Sequence, residues 1–148
     1  MKLTEKIDGD LNSAMKAQEA DKVRTLRTVK SSLHNAAIAN KDELSDEQAV
    51  QILRQEAKKR KEAIELYKQG GREELASAES KELEIIDAYL PAAMDEAELG
   101  KIVDEAIHLS GATSPADMGK VMGVVMGKVK GQADGSHVSA MVKNRLSQ

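Results

Sequence analysis

The sequence predicts an all-α protein of seven helices, four in an N-terminal domain and three in a small C-terminal one. Three observations lead there. Apolar residues recur every three or four positions in nearly every segment. Serine or aspartate stands at the head of several of these segments, and glycine or proline closes them. No run alternates polar and apolar residues convincingly with period two, as a half-buried strand would.

The elements follow in chain order. Leu3, Ile7, Leu11 and Met15, spaced by four, predict a first helix from Leu3 to about Glu19. Asp21 is the expected cap of a second, whose inward set is Val23, Leu26, Val29, Leu33 and Ala37. Ser45 heads a third through the capping box SDEQ, and Gly70-Gly71 stops it. The fourth runs from about Glu73 to Leu90, where Pro91 denies the chain a further turn. Asp95 and Glu98 form another capping-box candidate, opening a helix with Leu99, Ile102, Val103, Ala106 and Ile107 that closes near Gly111. Ser114-Pro115 starts a sixth, and Ser136 is the expected cap of a last helix holding Val138, Met141, Val142 and Leu146. The expected domains are 1–91 and 95–148. The second is short enough to be marginal alone, so packing on the first is expected.

Composition narrows the function. Charged residues make up 32% and apolar residues 41% of 148, a globular balance. Cysteine is absent, which excludes disulfides and thiolate metal sites. His34, His108 and His137 have no ligand-type spacing, so neither a metal nor a cofactor is expected. The N-terminus lacks a signal-peptide core, and no segment approaches the ~18 uncharged residues of a membrane span. The expectation is a cytoplasmic protein with no membrane partner. With a net charge of −3, nucleic-acid binding would have to rest on local patches.

Three patches qualify. DMGKVMGVVMGKVKG (117–131) places Gly119, Gly123 and Gly127 one turn apart and ends on Gly131. Each interior glycine costs a helix ~1 kcal/mol relative to alanine. On a helical wheel the three form a stripe beside the valine–methionine face, with Lys130 within it and Lys120 at its border. The stripe suits close approach, either of a neighbouring helix or of an external ligand such as a phosphate backbone. The second patch is the helix 22–40, where Arg24, Arg27, Lys30 and His34 share one face and no acidic residue occurs. It suits phosphates, or it is a solvated face with acidic partners on a neighbouring helix. The third, KKRK at 58–61, points in four directions, with Arg60 and Lys61 expected to snorkel across the apolar stripe.

Several stretches together resemble the YqeY-like family (GatB/YqeY): LRTVKSSLHNA (26–36), EAKKRKEAIELYKQGGREELASAE (56–79), IIDAYLP (85–91) and DMGKVMGVVMGKVKGQADGSHVS (117–139). The final ~55 residues also resemble the tail domain of the B subunit of tRNA-dependent amidotransferases, carbon–nitrogen ligases that use glutamine as amide donor. The resemblance implies two all-α domains, with the tail engaging tRNA in the large enzyme. It does not bring the chemistry with it. Glutamine hydrolysis needs an activated nucleophile, and the chain has neither a cysteine nor a Gly/Ser-rich amidase segment. Activating a carboxylate with ATP needs a phosphate loop, which is absent too. The chain is not expected to be an enzyme on its own.

The leading expectation is a non-catalytic helical protein that binds tRNA or a tRNA-processing enzyme. Its phosphate contacts would be Lys120, Lys128, Lys130, Lys143 and Arg145, with Arg24, Arg27 and Lys30 as a second set. Residues 117–148 hold five Lys/Arg against two Asp, a local excess of three positive charges. Gln132, where similar sequences often carry a basic residue, weakens that patch. The alternative is a protein–protein adaptor whose glycine groove, with Met118, Met122 and Met126 nearby, receives a partner helix.

Overall fold

The computed structural model describes residues 2–147. Residues 1 and 148, the outer limits of the two expected domains, lie outside them. Among the described residues there are seven α-helices, one 3-10 turn and no strand. The chain divides into two compact units between Leu90 and Pro91.

The first unit contains α1 (Leu3–Lys16), α2 (Ala20–Asn40), α3 (Asp46–Gln69) and α4 (Glu73–Asp87). Helix α1 packs on α2, and α3 on α4, with α2 touching both members of the second pair. Their apolar stripes meet in a core of Ile7, Leu11, Leu26, Val29, Leu33, Leu53 and Ile86. The capping box of α3 forms as its sequence dictates. Gln48 N–H donates to Ser45 Oγ at 3.1 Å, and Ser45 N–H donates to Gln48 Oε1 at 2.9 Å. Helix α1 is shorter than its periodicity suggests, because Gln18 takes a left-handed backbone (φ 58°) and turns the chain. That turn starts α2 at Ala20, so Asp21 lies inside its first turn and pairs with Arg24 instead of capping.

Pro91 ends the last helix early. The residue before a proline avoids α geometry, so α4 stops at Asp87 and a tight turn covers 88–90. Tyr89, in that turn, donates its hydroxyl to Asp10 Oδ2 at 2.5 Å, and Lys6 Nζ lies 5.5 Å from its ring centre. Burial, and then the Asp10 hydrogen bond, push the phenol well above its ordinary 10.0. Tyr89→Phe leaves the packing and removes one charge-assisted hydrogen bond. The expected loss is about 1.5 kcal/mol in urea unfolding.

The second unit contains α5 (Glu96–Ser110), the 3-10 turn Pro115–Asp117, α6 (Met118–Val129) and α7 (Gly135–Leu146). Its core of Leu99, Val103, Ala106, Val121, Val125, Val129, Val138 and Val142 is separate from the first. Asp95 caps α5 by accepting from Ala97 N–H at 2.9 Å. Proline at 115 gives only the short 3-10 turn, and α6 proper begins three residues later at Met118. The cap of α7 is Asp134, which accepts from Ser136 N–H at 3.3 Å, not Ser136 itself. Met94 N–H donates to the Gln132 carbonyl at 2.9 Å, tying the entry of α5 to the loop after α6.

Candidate nucleic-acid interface

Helix α6 buries Val121, Val125 and Val129, which occur every fourth residue and so share one face. The same spacing puts Gly119, Gly123 and Gly127 on another, which is exposed. A Cβ built on any of the three meets no heavy atom within 4 Å. The close approach that these glycines make possible is therefore not used by the described residues. The approach occurs elsewhere, at buried Gly100 of α5, where an added Cβ would lie 3.0 Å from Arg145 Nη2. The glycine stripe of α6 extends ~12 Å along the helix. Met122 and Met126, partly buried, lie at one edge, with exposed Lys120 at the other.

The cations expected around this face separate into two groups. Lys128 pairs with Glu105 of α5 at 3.3 Å. Arg145 pairs with Asp104, also on α5, and reaches the Gly100 carbonyl at 3.5 Å. A third carboxylate of α5, Glu96, holds His137 at 2.8 Å. The exposed pairs of Lys128 and Arg145 contribute at most about 1 kcal/mol each, but each sets a carboxylate beside a cation that a phosphate would need. Lys120, Lys130 and Lys143 are exposed and form no ion pair among the described residues. Lys130 is not on the wheel position that its spacing suggests. It is the left-handed cap of α6 (φ 47°), which swings its side chain out of the helical register.

The basic face of α2 is balanced in a similar way. Arg24 meets Asp21 at 2.8 Å and Glu82 at 3.4 Å, and Lys30 meets Asp8 at 3.2 Å. Arg27 is exposed, and among the described residues its guanidinium donates to Met15 Sδ at 3.6 Å and forms no ion pair. In KKRK, Lys58, Lys59 and Lys61 are exposed, whereas Arg60 turns inward instead of snorkelling. Its Nη1 donates to Glu56 Oε2 at 2.9 Å, and its Nε lies 3.4 Å from Glu82 Oε2 in an ion pair without hydrogen-bond geometry. Ser32 Oγ donates to Glu56 Oε1 at 2.8 Å. A buried charge network thus joins α2, α3 and α4. The available sequence signal was Glu56 and Arg60 four apart on one helix, a spacing that favours pairing.

Among the described residues no three His, Asp or Glu side chains gather to hold a metal ion. No described helix is long and apolar enough to cross a membrane. Against known families, the model described as Yqey-like protein matches residues 4–146. The chain belongs to the YqeY-like family. This YqeY-like chain is also 30% identical over 81 residues to a protein of Schizosaccharomyces pombe described as uncharacterized, a match covering 55% of this chain and 66% of that one. The fission-yeast relative adds no activity to the family assignment.

Proposed function

We propose that this YqeY-like chain is a non-catalytic tRNA-binding protein associated with tRNA-dependent amidation, and that α6, its cap and α7 form the RNA face. The observation that carries this reading is the open glycine face of α6 bordered by Lys120, with Lys130 at the cap of the helix, neither of them in an ion pair among the described residues. Helical glycines that no described neighbour packs against cost stability without a return inside the fold. An external backbone that comes close to the helix accounts for them. The likeness of the last ~55 residues to the amidotransferase tail supplies the ligand class. Two tyrosines in the whole chain leave little for base stacking, so folded RNA met through its phosphates and riboses fits better than single strands.

The test is a titration of the full chain with total tRNA at several salt concentrations. Binding should weaken steeply with salt as counterions are released. Lys120→Glu/Lys130→Glu should reduce affinity on the order of tenfold or more, while Lys128→Glu, already beside Glu105, should have a smaller effect. Absence of binding even at low salt would overturn the reading. A second reading is favoured by partly buried Met118, Met122 and Met126 next to the glycines, which suit the helix of a tRNA-processing enzyme. Such a complex would be far less sensitive to salt.

A further inference from the structure

The end of α1 and the first turns of α2 enclose an open groove of about 690 Å³, lined by Met15, Ala20, Val23, Arg24, Arg27 and Thr28. No carboxylate lines it. Its floor is apolar, and Met15, 41% exposed, is among the few large hydrophobic side chains left in solvent. The two arginines differ in charge balance. Arg24 is matched by Asp21 and Glu82, whereas Arg27 donates to the Met15 thioether and has no carboxylate partner among the described residues. The groove therefore combines an apolar floor with one surplus guanidinium at its rim.

We propose that this groove docks an acidic peptide segment of a partner protein, with a bulky apolar side chain over Met15 and Val23 and a neighbouring carboxylate on Arg27. A guanidinium matches a carboxylate with two parallel hydrogen bonds, which fixes the orientation of the segment. Methionine and arginine are enriched at protein–protein contacts. A phosphate strand fits poorly here. It would leave Met15 and Val23 uncovered. The proposal uses the first unit alone and does not depend on the RNA face of α6.

The experiment is selection of randomised 12-residue peptides displayed on phage against the full chain, with an Arg27→Glu/Met15→Lys variant as counter-target. Both positions are exposed, and circular dichroism verifies that the variant folds. The expected winners pair Asp or Glu with Leu, Ile or Phe and bind Arg27→Glu on the order of tenfold more weakly than wild type. Changing the acidic residue of a winner to lysine should restore binding to Arg27→Glu. No enrichment, winners indifferent to Arg27→Glu, or displacement of a winner by a short RNA duplex at physiological salt would each overturn the proposal.

Discussion

Replacing Gly119, Gly123 and Gly127 together by alanine should stabilise the chain and weaken the proposed RNA binding about tenfold or more. All three lie in a helix, face solvent and have open space where a Cβ would stand, so alanine adds helix propensity without a clash. Alanine is favoured over glycine by up to about 1 kcal/mol in a helix interior, and Gly119 and Gly127 are close to the ends, so a gain of about 2 kcal/mol is expected in urea unfolding. Three methyl groups on the same face would meanwhile hold a ligand backbone away from the helix. Gains in stability that remove function are the usual signature of residues kept for an external contact. A triple variant less stable than wild type would mean that something in the fold already packs on this face.

The largest loss of stability is expected at Glu56 and Arg60. Their side chains are 7% and 9% exposed, and each offsets the other's charge. Glu56→Ala should destabilise the fold by about 3–5 kcal/mol, because it leaves the Arg60 guanidinium buried with Glu82 as its one remaining ion-pair partner among the described residues. The double variant Glu56→Leu/Arg60→Leu should recover most of that loss, since removing both charges strands neither. Burial alone would raise the Glu56 carboxyl. The hydrogen bonds from Arg60 and Ser32 and the charge of Lys59 outweigh it and hold the group below its ordinary 4.5. A carboxylate depressed in the folded state stabilises fully above 4.5 and loses that contribution as pH falls through its folded value. Acid unfolding monitored by circular dichroism should therefore depend less on pH below 4.5 in Glu56→Gln than in wild type.

The helices were legible because their signals are local. Spacing of three or four residues placed Leu26, Val29, Val121 and Val125 in the cores, and the Ser45–Gln48 box formed as written. Caps were less legible where two candidates stood close together. Asp134 outcompeted Ser136 because the chain entered α7 two residues earlier, and Asp21 was drawn inside α2 by the left-handed Gln18. Charge partners on other helices were not legible. The acidic residues that balance Lys128 and Arg145 are on α5, and those that balance Arg24 and Lys30 are on α1 and α4 as well as α2. Only the packing of one helix on another brings such pairs together. The same holds for the glycines of α6: their spacing announced close approach, but only the fold shows that the space over them is open.

The most direct measurement is tRNA affinity of the full chain and of its Gly119→Ala/Gly123→Ala/Gly127→Ala variant, taken across a salt series with unfolding curves for both proteins. The expected result is salt-sensitive binding by wild type and a better-folded variant that binds tRNA at least about tenfold more weakly. Equal affinities in the two proteins would contradict it, because the open face of α6 would then have no part in recognising RNA.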